Sequence, residues 1–130
     1  MDIKDIIQAM LSSAHILQHP DFIDEFLGLI VGTGQEKRVV TKLITKLQMI
    51  SDLGLSLYTN QEFEHLSGHP NLYSLHIETG NLNIRILYCY VLRKQVWLHA
   101  YFERSGKKVT EYESHIPTAN RRMREFKNRR

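Results

Sequence analysis

Three kinds of side chain in this 130-residue chain could do chemistry: an isolated arginine, a strand histidine and a run of cations. Arg85 is the one charge in a run, residues 82–92, that is otherwise apolar apart from Asn83. A guanidinium in such a run is costly unless a carboxylate or a polar ligand answers it. Two readings stay open, an internal salt bridge to Glu78 or Glu103, or a guanidinium presented to a phosphate. His76 lies in the middle of a polar face made by Ser74, His76 and Glu78. Arg104-Ser105-Gly106-Lys107-Lys108 then puts three cations into five residues. The tail from Arg121 and Arg122 to Arg130 is basic as well and adds nonspecific phosphate affinity. These residue types suggest a polyanion as partner, with nucleic acid the first to consider.

Metal chemistry is not expected. The seven histidines (His15, His19, His65, His69, His76, His99 and His115) show neither a Cys-x-x-Cys nor a His-Glu-x-x-His spacing. His15 and His19 are four apart on an expected helix, with no third ligand nearby. No cofactor motif occurs either. Cys89 is the only cysteine, so there is no internal disulfide, and its apolar run makes it a small buried hydrophobe rather than a nucleophile. No run approaches the roughly 18 apolar residues of a membrane span, and Met1-Asp2-Ile3-Lys4 lacks a signal-peptide layout. A cytoplasmic protein without a membrane partner is expected.

The elements that must position these groups follow from periodicity. Residues 1–65 hold five Lys/Arg against nine Asp/Glu, and residues 66–130 hold twelve against five. The acidic half reads as helices: a stripe from Ile3 to Leu17, a second over Phe22–Ile30 with Asp21 as its cap, and a third with Val39, Val40, Leu43, Ile44, Leu47 and Ile50 inward. From residue 72 the period becomes two, giving strands over 72–78, 82–92 and 95–103 joined by Thr79-Gly80-Asn81 and Arg93-Lys94. A helix follows from about Thr110, with Pro117 expected to kink or restart it. The fold class is α+β: a small antiparallel sheet, a three-stranded meander with room for a fourth edge strand, packed against N-terminal helices and followed by a C-terminal helix. One domain over 1–130 is expected, with 1–18 as a helical extension.

Several segments in this order carry a family likeness: Glu64-His65-Leu66-Ser67-Gly68, Leu72-Tyr73-Ser74-Leu75-His76-Ile77, Asn83-Ile84-Arg85-Ile86-Leu87-Tyr88, and His99-Ala100-Tyr101-Phe102-Glu103-Arg104 with Lys107-Lys108. Together they resemble the RelE/ParE toxin superfamily, nearest to its phage-derived, HigB-like members, over roughly residues 22–127. The resemblance implies a RelE-like core and the toxin half of a type II toxin–antitoxin pair. The implied activity is a ribosome-dependent mRNA endoribonuclease that turns the ribose 2′-hydroxyl against the adjacent phosphate without a metal. Carried over position by position, the catalytic residues would be His76, Arg85, Arg104 and Lys108, with Lys107 beside them. His76 stands where the family usually has Arg or Lys and would serve as the base. Arg121 and Arg122 would add RNA contacts. The implied partners are a cognate antitoxin, the ribosome and mRNA, and no feature sets an oligomeric state. Two alternatives are a ParE-like gyrase-inhibiting toxin and a non-catalytic, phage-derived nucleic-acid-binding regulator. Under the nuclease expectation, Arg85→Ala abolishes toxicity and leaves the fold intact.

Overall fold

The computed structural model describes residues 2–104 and 108–129, with side chains throughout except those of Leu55 and residues 108–110. Helix α1 (Ile3–Ser13) starts where the Asp2 carboxylate accepts the Asp5 N–H at 2.9 Å, and it buries Ile7 and Leu11. The helix stops earlier than its stripe predicts. His15 takes a positive φ of 58°, and the Ile16 N–H returns to the Leu11 carbonyl at 2.9 Å. Leu17–Gln18 then form a short strand, β1, instead of a last helical turn. The stretch expected as a helical extension is therefore a helix and an edge strand, with Ile7, Leu11 and Ile16 inside the core.

Helix α2 (Phe22–Ile30) buries Phe22, Ile23, Phe26 and Ile30. Asp21 precedes it but makes no side-chain cap; the His19 ring nitrogen Nδ1 accepts the Asp21 N–H at 3.1 Å instead. Helix α3 (Glu36–Leu53) turns Val39, Leu43 and Leu47 inward, whereas Ile44, expected inside, is 51% exposed. Lys46 is buried in its place. Its stem lies along the core, its ammonium meets Glu62, and the Phe63 ring centroid is 5.8 Å from Nζ. Glu62 keeps 45% of its side chain in solvent, so removing the lysine leaves no buried, uncompensated charge. Lys46→Met is expected to stay within about 1 kcal/mol of the parent in urea unfolding. A loss several times larger would show that the ion pair, and not the stem, holds this corner.

A 3-10 helix (Gly54–Thr59) leads into β2 (Phe63–His65), β3 (Tyr73–Thr79), β4 (Leu82–Val91) and β5 (Lys94–Phe102). The sheet has five strands in the order β1-β5-β4-β3-β2, more than expected, and it is mixed because β1 runs parallel to β5. Both β3–β4 and β4–β5 turn in two residues, since Thr79 pairs with Leu82 and Val91 with Lys94. Helices α1–α3 cover one face, where Leu75, Ile77, Ile84, Ile86, Tyr88 and Trp97 pack. Helix α4 (Lys108–Asn128) covers the other face, over Leu87, Cys89, Val91, Val96, Leu98 and Tyr101. Pro117 lies within α4, which runs on as one helix rather than restarting. Ile116, Ala119, Met123 and Phe126 supply its apolar side.

One irregularity sorts the polar groups. Leu87 pairs with His99 but Tyr88 pairs with Trp97, so Leu98 is an extra residue in β5. Both Leu98 and His99 therefore turn toward α4. Beyond the short β1, the edge of β5 is closed by a side chain: Glu25 Oε1 of α2 accepts the Ala100 N–H at 2.8 Å. The same oxygen takes a 2.8 Å bond from Arg122 of α4, so one carboxylate ties helices from both faces around the sheet edge. No helix among the described residues is long and apolar enough to cross a membrane.

Candidate functional site

Register places Glu64 opposite Ser74, His76 opposite Arg85 and Arg85 opposite Tyr101. Side chains at such directly paired positions share a face of the sheet, here the α4 side. Arg85 is 6% exposed and lies among groups from β2, β3, the end of β5 and α4. Its Nε is 3.2 Å from Glu103 Oε1, while its Nη1 is 3.5 Å from Glu64 Oε1 and 3.4 Å from Ser74 Oγ. The Tyr112 ring of α4 is 5.7 Å from the guanidinium carbon, and the Tyr112 hydroxyl donates to Glu64 and lies 3.0 Å from Ser74 Oγ. Burial, and then the bond to Glu64, push the Tyr112 phenol up, so it stays protonated. His76 bonds through Nε2 to Asn83, and Asn83 Nδ2 donates to Glu103 Oε2 at 3.4 Å.

Arg85, His76, Glu64, Glu62 and Glu78 line an open cleft of about 640 Å³ whose other wall is the segment from Tyr58 to Glu62. Three carboxylates face one guanidinium and one imidazole there, so the cleft is not the basic surface that the charge of residues 66–130 suggests. The internal salt bridge to Glu103 that the sequence left open is formed, and Glu64 joins it. This corner can hold an anion only where that anion competes with Glu64 for Nη1. At 3.5 Å the Glu64 contact is the looser of the two ion pairs.

The remaining expected residues do not gather at Arg85. Arg104 is 72% exposed and donates from Nε to Glu111 Oε1 at 2.6 Å. Lys107 is outside the described residues, as is the side chain of Lys108, whose backbone opens α4. Arg121 is exposed, 4.0 Å from Glu125. Arg122, expected to contact RNA, is buried instead, with Nη1 donating to Glu25 at 2.8 Å and to the Leu98 carbonyl at 3.0 Å. The long-range partner, not the local run of cations, decides its place.

A second polar line adjoins the cleft through Tyr101, the cross-strand partner of Arg85. The His115 ring stacks on Tyr101 at 3.8 Å and 8°. His99 Nδ1 is 2.8 Å from Glu25, which can only accept, so Nδ1 carries the proton. The other nitrogen of a neutral His99 then accepts from His115 Nδ1 at 2.7 Å. Burial lowers the His115 pKa, with His99 beside it acting in the same direction. Among the described residues, no group of three His, Cys, Asp or Glu could hold a metal ion. Cys89 is fully buried, and burial raises its thiol pKa to about 11.

Sequence reasoning did not single out Glu64 or Tyr112 for the site. Strand parity carried one pairing further, from Ser74 into β2, would have brought Glu64 to this face. Comparison of the chain with family models, curated proteins and solved structures gives no match.

Proposed function

We propose that this protein is the toxin of a type II toxin–antitoxin pair, an endoribonuclease that cuts ribosome-bound mRNA in the cytoplasm and is held in check by a cognate antitoxin. One observation carries the reading: Glu64, His76 and Arg85 line the same cleft, with His76 and Arg85 directly paired across two strands. The order of motifs that resembles RelE-like toxins supports it as well. In this reading Glu64 takes the proton of the ribose 2′-hydroxyl, a role the sequence assigned to His76. The 2′-oxygen then bonds to the adjacent phosphorus as the bond from phosphorus to the 5′-oxygen breaks, leaving a 2′,3′-cyclic end. His76, as imidazolium, gives its proton to the departing 5′-oxygen. Arg85 turns Nη1 from Glu64 to the phosphorane while Glu103 holds Nε, and Tyr112 keeps Glu64 oriented.

Glu64→Gln keeps the shape and an acceptor for Tyr112 but removes the base. Cleavage is expected to fall by about 10²–10⁴-fold with little change in melting temperature. The pairing of Arg85, Arg104 and Arg122 with carboxylates favours a second reading, a gyrase-inhibiting toxin that binds protein and cuts nothing. Inducible expression in bacteria, with 5′ ends of transcripts mapped while translation runs and while it is blocked, separates the two. Cuts confined to translated messages support the nuclease. DNA damage without new RNA ends supports the second reading, and growth unaffected by expression rules out both.

A further inference from the structure

A cavity of about 710 Å³ opens on the α1–α3 side of the sheet, with Tyr58 between it and the cleft. Its wall is tyrosine. Tyr58 and Tyr73 have ring centroids 5.1 Å apart, and Tyr90 stands at 90° to Tyr73, also at 5.1 Å, so the three rings pack on one another as one aromatic wall. A chain of bonds holds the wall in shape. The Tyr58 hydroxyl is 3.0 Å from that of Tyr88 and 2.5 Å from that of Tyr90; Gln95 Nε2 donates to Tyr90 at 3.2 Å, and Trp97 Nε1 donates to Gln95 at 2.9 Å.

An aromatic wall suits either a quaternary cation or a planar ring. The rim decides between them. His15, Arg93 and Lys94 line the cavity, and no Asp or Glu does among its described lining residues. Arg93 and Lys94 have no salt bridge to a carboxylate among the described residues, unlike Arg85, Arg104 and Arg122. A cation would be repelled, whereas a flat ring bearing negative charge is met by both wall and rim. Backbone conformation adds a separate argument. Among the described residues, the non-glycine residues with positive φ are His15 (58°), Leu92 (51°) and Arg93 (68°). Leu92 and Arg93 fill the two-residue β4–β5 turn, where Asn-Gly would sit without strain. His15 and Arg93 both line the cavity, and strain of this kind gathers at binding sites.

We infer that this cavity binds a nucleotide, its base lying against the wall of Tyr58, Tyr73 and Tyr90 and its phosphate on Arg93 and Lys94. The site stands apart from the nuclease reading, since it needs no cleavage and, among the described lining residues, shares only Tyr58 with the cleft. Either a free mononucleotide or one residue of an RNA chain presents this chemistry.

The test is titration of the full chain with guanosine and adenosine 5′-monophosphates, followed by heteronuclear NMR, with ribose 5-phosphate and a short oligoribonucleotide as further arms. Saturable binding with Kd below about 1 mM is expected, with shifts confined to the Tyr73, Tyr90 and Arg93–Gln95 region. Ribose 5-phosphate should bind at least about tenfold more weakly, because it has no base to stack. Arg93→Glu on the turn with Lys94→Glu at the exposed start of β5 should weaken the mononucleotides at least about tenfold while the spectrum stays folded. Tighter binding of the oligoribonucleotide assigns the site to RNA, and equal or weaker binding assigns it to the free nucleotide. Absence of saturation, ribose 5-phosphate binding as well as the nucleotides, or shifts centred on Glu64, His76 and Arg85 each overturn the inference. None of these outcomes bears on cleavage.

Discussion

Glu25→Ala is expected to lower folding stability by about 3–5 kcal/mol, a large part of the total for a domain of this size. The change removes one carboxylate and strands three groups. Arg122 loses its counter-charge while buried, the Ala100 N–H at the sheet edge loses its acceptor, and His99 loses the group that fixes its tautomer. Urea unfolding measures the loss, and a melting temperature within about 2 °C of the parent would contradict it. Glu25→Ala combined with Arg122→Met should recover part of the loss, because the stranded charge goes as well. Acid adds an independent check. Burial alone would raise the Glu25 pKa, but bonds from His99, Arg122 and the Ala100 N–H outweigh it and bring the value from 4.5 down to about 2. The carboxylate thus binds its proton less readily in the folded chain than in the unfolded one. Its stabilisation, up to about 3 kcal/mol, is complete above about pH 4.5 and is lost as the pH falls toward 2. Glu25→Gln should flatten that part of the stability profile.

Arg85 gives the second large effect, and its two variants should part company. Arg85→Ala leaves Glu103 buried without its guanidinium and is expected to cost about 2–4 kcal/mol, so loss of toxicity in that variant would mix unfolding with chemistry. The sequence had suggested that this substitution leaves the fold intact; the ion pairs to Glu103 and Glu64 argue otherwise. Arg85→Lys keeps the charge but cannot hold Glu103 and a phosphate at once through a planar fork. Under the nuclease proposal, cleavage by Arg85→Lys is expected to fall about 10²-fold while thermal unfolding stays near that of the parent. Full cleavage by a folded Arg85→Lys protein would take Arg85 out of the chemistry.

Much of the architecture could be read from periodicity because its longest elements repeat it many times. The alternation through β3 and β4 set which side chains share a face, and the short turns left an antiparallel arrangement as the only choice for β3, β4 and β5. Leu17–Gln18 escaped notice because two residues have no period, and the preceding helical stripe absorbed them. Lys46 escaped because a lysine counts as polar although most of its length is hydrocarbon. At the site, Glu103 was one of the two carboxylates foreseen for Arg85, but Glu64 comes from a three-residue strand with no pattern of its own. Arg122 was read by its neighbours in a basic tail, while its partner lies 97 residues away. Local composition carries no trace of a contact at that range.

The extra residue Leu98 binds strand register to chemistry. If the bulge were ironed out with no residue lost, Leu98 would pair with Leu87 and every position from 99 to 102 would exchange faces. The imidazole of His99 would then enter the apolar layer under α2, and Ala100 would turn toward α4 in its place. Deleting Leu98 instead leaves Trp97 and His99 opposite Tyr88 and Leu87, on the faces they hold now. A relative one residue shorter at this point can therefore keep the residue types of positions 99 to 102 unchanged.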